Sequence, residues 1–250
     1  MLLKRRQRIN DQTSEDFEHV LVWSKYAVLF EAALESAPQF IIQLYAMVVQ
    51  QQSVTIVQMV SLSVSFLSMA WASIVADEAL HSNQGDLNFS VQDRVLQFVT
   101  YLFILSSRLF AVALFTVSYK WWVTSVLILH CAVMVLCDVC QKESLVSGNK
   151  FISVLVSCIH WLRDDLSMIT VKNETENRKM KLVKRMQLVS NVLFVIENIT
   201  MILLFYFSHF PHTWYSLPVT ICVCLFAVLG AVMRLTHFCF LYEDSDDEDS

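Results

Sequence analysis

From Tyr26 to Gln52 the chain reads YAVLFEAALESAPQFIIQLYAMVVQQQ, an apolar run in which Glu31, Glu35, Gln39 and Gln43 recur every four residues and Gln50 follows seven further on. That spacing puts the five polar residues on one broad helical face. At about 1.5 Å per residue the rise from Glu31 to Gln50 is roughly 28 Å, close to the thickness of a bilayer's hydrocarbon core. The pattern predicts a membrane span with a row of polar side chains running from leaflet to leaflet. Pro38 sits in its middle, removes a backbone hydrogen bond and clashes with the preceding turn, so a kink or break is expected there.

Further apolar runs continue the theme. Val54 to Val75 is a second span, interrupted only by small hydroxyls at Ser61, Ser63, Ser65, Ser68 and Ser73, and small residues let helices approach closely. Asp77 to Arg94 reads as a polar loop. Val95 to Ser118 is a third span with Arg108 near its centre, Lys120-Trp121-Trp122 a corner with interfacial aromatics, and Val123 to Cys140 a fourth span. Phe151 to Leu162 is apolar but too short to cross, and reads as a re-entrant helix. Arg163 to Arg185 is a basic loop, Gln187 to Ser208 a fifth span with Glu197 at its centre, and Leu217 to Leu241 the last. The expected fold is an all-α polytopic transmembrane bundle of about six spans plus that short re-entrant helix.

Composition supports this reading. Of 250 residues 56% are hydrophobic and 16% charged, against about 25% charged in soluble domains. With three Gly and three Pro there is little material for β-hairpin turns. The net charge of −5 owes much to the tail, where Glu243, Asp244, Asp246, Asp247, Glu248 and Asp249 cluster, so overall charge gives no reason to expect a nucleic-acid partner. Lys4, Arg5, Arg6 and Arg8 place the N-terminus on the cytoplasmic side. Six crossings then return the C-terminus to the same side. Residues 1–20 form a cytoplasmic segment, 21–242 the membrane domain and 243–250 an acidic cytoplasmic tail. Sequons at Asn88, Asn173 and Asn198 would lie in the cytoplasm or the membrane.

Carboxylates at membrane depth cost several kcal/mol each on insertion scales, roughly 3 for Asp, and normally face a bundle interior or a wet cavity. Glu31 and Glu35, one turn apart, repel if both are ionised. A lone arginine in a span needs a carboxylate, and Glu31, Glu35 and Glu197 stand at depths comparable with Arg108, so an intramembrane network among them is expected. The polar row serves either as a seam gluing helices or as a pathway. Catalytic motifs such as G-x-S-x-G, H-E-x-x-H and the glycine-rich phosphate loop are absent, and no cofactor is expected. Cys137-x-x-Cys140 is half a zinc site with no second pair in a following loop, so its cysteines, like Cys131, Cys158, Cys222, Cys224 and Cys239, are taken as structural and no metal is expected. The odd count of seven leaves room for an intermolecular disulfide. His130 and His160, on apolar runs, are taken as core residues.

The run LFEAALESAPQ from Leu29 to Gln39, continuing through Gln43-Leu44-Tyr45, resembles the signature of the XK-related family of membrane proteins. Further similarities follow in order: SLSVSFLSMAWA from Ser61 to Ala72, Ser107-Arg108, Glu197-Asn198 and Gly230. The resemblance spans roughly Tyr26 to Leu241. It implies a plasma-membrane phospholipid scramblase, not an enzyme, that moves lipids such as phosphatidylserine between leaflets without ATP, typically after a caspase cuts a tail in apoptosis. Some relatives instead serve as partners of other membrane proteins. Family members are usually longer, with spans ahead of the signature helix that this chain is expected to lack. Asp246-Asp247-Glu248-Asp249 and Thr13-Ser14-Glu15-Asp16 are the tetrapeptides a caspase would test, and neither identifies a switch.

On this reading Glu31, Glu35, Gln39 and Gln43, with Arg108 and Glu197 from other helices, make a hydrated path for headgroups. Arg108 would meet phosphate and the carboxylates the ammonium groups. The alternatives are a non-transporting structural subunit that docks a single-span partner or a second copy of itself, and a small-solute transporter.

Overall fold

The computed structural model describes residue 24 and residues 27–50, 55–82, 90–140, 177–208 and 214–247. The described elements are all helical: α1 (Ala27–Gln50), α2 (Ile56–Ser82), α3 (Val91–Tyr119), α4 (Trp122–Cys140), α5 (Asn177–Phe207) and α6 (Ser216–Asp247). Five of them, all but α4, contain stretches long and apolar enough to cross a membrane. Helix α4 covers the expected fourth span, and Trp122–Val133 is a shorter apolar stretch within it. The re-entrant helix expected at Phe151 to Leu162, with His160, lies outside the described residues.

Helix α3 is the hub. Both of its flanks are buried, and α1, α2, α4, α5 and α6 all pack on it. Leu29, Ala32, Ala33, Ala37 and Phe40 of α1 and Met69, Ala70, Ala72, Ile74 and Ala76 of α2 meet Tyr101, Leu105 and Leu109 in one apolar cluster. Met201, Ile202 and Phe205 of α5 and Val223 of α6 meet Ala111, Val112, Leu114, Phe115 and Val117 in a second. The hydroxyls of Ser118 and Ser208 lie 2.8 Å apart, which puts the ends of α3 and α5 on one side of the bundle. Successive helices therefore alternate in direction. Trp121, Trp122 and Trp214 stand exposed on that side, as interfacial anchors do, and Arg94 stands at the other.

Several boundaries differ from those expected. Pro38 does not break α1. Ala32–Ser36 forms a π-turn ahead of it, closed by Ala37 N–H donating to Ala32 O, and the widened turn accommodates the ring that would strike the carbonyl of Leu34 in a regular helix. The polar loop expected from Asp77 shrinks, because α2 continues to Ser82 and α3 resumes at Val91. Ser90 N–H donates to Asp93 Oδ2 at 3.1 Å and secures that start. The basic segment expected as a loop to Arg185 is helical from Asn177, where Arg, Lys, Met and Leu are all strong helix formers. The serines of α2 pack less than expected. Ser63 and Ser68 are exposed, Ser73 is buried with its hydroxyl donating to Met69 O at 3.0 Å, and Ala70, Ala72 and Ala76 make the close approach.

The corner between α3 and α4 turns on Lys120, whose φ of 45° lies where side chains other than glycine are strained. Lys120→Gly is expected to raise the thermal stability of the purified protein by about 1 kcal/mol. A melting curve in detergent reads this directly, and a lowered midpoint would show that the lysine contributes more than its backbone costs.

Helix α6 presents Ser216, Thr220, Val223, Ala227 and Gly230 as its buried stripe, at spacings of three and four. A Cβ on Gly230 would stand 2.9 Å from Ile104 Cγ1 and 3.1 Å from the Ile104 backbone nitrogen, so α6 crosses α3 in backbone contact at this point.

Candidate functional site

The polar residues of α1 fall on the side away from its packing face. Leu29, Ala32, Ala33, Ala37 and Phe40 recur at three- and four-residue steps and are buried against α2 and α3. Glu31, Glu35 and Gln39 are exposed. In a membrane-spanning helix this exposes two carboxyl groups and an amide on the outer flank of the bundle. One turn further on, Gln43 is half-buried, and its Oε1 is buried with no hydrogen-bond partner among the described residues. Leaving such an acceptor unmade costs about 1–3 kcal/mol. Gln50 is exposed again at the end of the helix.

A separate polar centre lies inside the bundle. Arg108, on the buried hub, is 0% exposed. Its Nη1 donates to Asn198 Oδ1 at 3.0 Å and its Nη2 to Glu197 Oε1 at 3.1 Å. Its guanidinium also lies 5.2 Å from the centre of the Phe194 ring. Asn198 in turn donates from Nδ2 to Ser107 Oγ at 3.4 Å, and Ser107 donates to Ile104 O at 2.8 Å. The second carboxylate oxygen of Glu197 lies 2.7 Å from His130 Nδ1 on α4. One carboxylate thus joins α3, α4 and α5.

Helical spacing explains the arrangement. Asn191, Phe194, Asn198, Ile202 and Phe205 form the buried stripe of α5, so Asn198 faces α3 while Glu197 sits on its shoulder toward α4. On α4, Val123, Val126 and Leu127 pack inward, and His130 follows on the same face. A buried arginine is tolerated when its donors meet a carboxylate and further acceptors, and both conditions hold here.

The structure therefore divides the residues marked out by sequence. It brings Arg108 and Glu197 together and leaves Glu31 and Glu35 out of that network: among the described residues the ion pairs are Arg108–Glu197, His130–Glu197 and Arg94–Glu78 at 2.7 Å. Sequence reasoning missed Asn198 and Phe194 as Arg108's neighbours; it took His130 for a satisfied core residue, and the structure names Glu197 as the partner of its Nδ1, with the side chain 9% exposed. The three-residue step from Asn191 to Phe194 and the four-residue step to Asn198 were the available signal. It also missed Asp77, buried at the end of α2, which accepts a hydrogen bond from the Tyr101 hydroxyl of α3. An acid just after an apolar run carries no sign that separates a buried partner from a loop residue.

Long apolar helices of alternating direction around a buried, charge-bearing hub define a multi-pass helical membrane protein. The chain belongs to the XK-related family, whose model matches residues 4–243.

Proposed function

We propose that this protein is a phospholipid scramblase, which carries headgroups between leaflets of the plasma membrane without ATP and without covalent chemistry, exposing phosphatidylserine in apoptosis. The observation that carries this reading is the outward row on α1, where Glu31, Glu35 and Gln39 are exposed while the opposite flank is buried. Carboxylates on the outer surface of a span have no protein interior to serve, and a polar track beside the acyl chains is what a headgroup needs in place of its water. Membership of the XK-related family adds to this reading.

Arg108 and Glu197 take a different part from the one their charge alone implies. With Arg108 buried and Glu197 shared between it and His130, they hold α3, α4 and α5 in register beside the path, and the α1 row meets the lipid. The sequence excess of Lys and Arg at Lys4, Arg5, Arg6 and Arg8 supports a cytoplasmic N-terminus on this reading. Phospholipids are the partners this reading requires. A caspase acting on a terminal segment and a single-span or identical membrane partner are compatible with it.

The test is dye quenching of labelled lipid in vesicles containing the purified chain. Replacing Glu31 and Glu35 together by Gln is expected to lower the rate about tenfold, the loss that corresponds to one charged hydrogen bond, with the elution profile unchanged. An unchanged rate in folded protein would refute a path along α1. The second reading, a structural subunit that docks another membrane protein, is favoured by the full burial of Arg108 and predicts no lipid movement at all.

A further inference from the structure

We infer that Gln43 is a deep station on this route and that its side-chain carbonyl favours headgroups bearing a primary ammonium, as in phosphatidylethanolamine and phosphatidylserine, over those bearing choline. The inference rests on the scrambling reading above. Gln43 lies one turn beyond Gln39 in the row of α1 and about 18 Å along the helix from Glu31. It is the place where the row turns inward: Glu31, Glu35 and Gln39 are exposed, whereas Gln43 is half-buried. Its Oε1 is buried and accepts no hydrogen bond among the described residues.

Charge and hydrogen bonding separate at this point. The carboxylates of Glu31 and Glu35 attract any cationic headgroup, choline included, because a point charge needs no proton donor. The amide carbonyl of Gln43 is neutral and gains chiefly from an N–H directed at it. A primary ammonium brings three such donors, as the lysine ammonium does, and a quaternary choline nitrogen brings none. A buried acceptor without a donor gains most from the first and little from the second. Discrimination belongs to Gln43, and general attraction to the two glutamates.

The experiment uses the whole chain in phosphatidylcholine vesicles, with phosphatidylethanolamine, phosphatidylserine and phosphatidylcholine each labelled on an acyl chain so that the headgroup stays intact. In the unmodified protein the two primary-ammonium lipids are expected to cross faster than the choline lipid. In Gln43→Leu that ratio is expected to fall about tenfold, the factor one hydrogen bond to a charged group corresponds to, because the primary-ammonium rates fall further than the choline rate. Gln43→Glu, whose carboxylate attracts choline and primary ammonium alike as Glu31 and Glu35 do, is expected to lose most of the preference while still moving lipid. Equal rates for all three lipids in the unmodified chain, a uniform drop in Gln43→Leu, or an undiminished preference in Gln43→Glu would each overturn the assignment while leaving scrambling intact. Failure of the unmodified chain to move any of the three would overturn the scrambling reading itself, and this assignment with it.

Discussion

Arg108→Met is expected to be among the most damaging single substitutions in the bundle, costing about 3–5 kcal/mol. Methionine fills much of the volume, so the cost comes from what is left behind. Glu197 would keep a carboxylate at membrane depth with only His130 as its partner, and Asn198 would lose the donor to its Oδ1. Glu197→Leu is expected to do comparable damage, by stranding a guanidinium that is 0% exposed. The double variant Arg108→Met with Glu197→Gln removes both charges and leaves an amide oxygen for His130. It should recover more than half of the loss, because two neutral groups avoid the penalty that either lone charge incurs. Melting midpoints of the unmodified chain, Arg108→Met, Glu197→Gln and the double variant in the same detergent decide the matter. Additive losses would show that the two residues are not coupled and would remove the basis for a network joining three helices.

Gly230→Leu comes next, at about 3 kcal/mol or more. Even Gly230→Ala is expected to cost about 1–3 kcal/mol, since its Cβ would press on the Ile104 backbone nitrogen, which cannot yield unless α3 itself moves. Leucine adds a branched group at a crossing where there is no room for one. Val228, two residues earlier and 47% exposed, is the control: Val228→Leu should leave the midpoint within about 0.5 kcal/mol. If Gly230→Leu melted like Val228→Leu, the close crossing of α3 and α6 would be wrong.

Both effects concern contacts between helices distant in sequence, and this separates what was legible in the chain from what was not. Apolar stretches of adequate length mark each membrane helix, because hydrocarbon demands about 20 apolar residues of any helix that crosses it, whatever that helix packs against. Boundaries were less legible. Residues 177–185 are too basic to read as span, yet they extend α5 as helix, since charge limits where a helix can sit and not whether it forms. A single proline such as Pro38 does not say whether the helix will kink, break or continue beyond a π-turn.

The candidate site followed the same division. Glu31, Glu35, Gln39 and Gln43 were identifiable as one row because four-residue spacing is a property of a single helix. Which way that row faces was not, because a helix rotates about its axis to suit its neighbours. Here Ala32, Ala33, Ala37 and Phe40 fit against α2 and α3, and the row is turned outward as a result. Likewise, Arg108 advertised its need for a carboxylate while three were available. Packing of α5 against α3 through Phe194, Asn198 and Ile202 brought Glu197 to it, and His130 followed from the way α4 folds back beyond Lys120. Sequence alone determined that this protein is a bundle of membrane helices and which of its residues are too polar to lie there without a reason. Only the tertiary structure decided which of those charges are satisfied within the bundle and which stand exposed on its outer flank, because that depends on the rotation and neighbours of each helix, set by contacts between residues 90 and more positions apart.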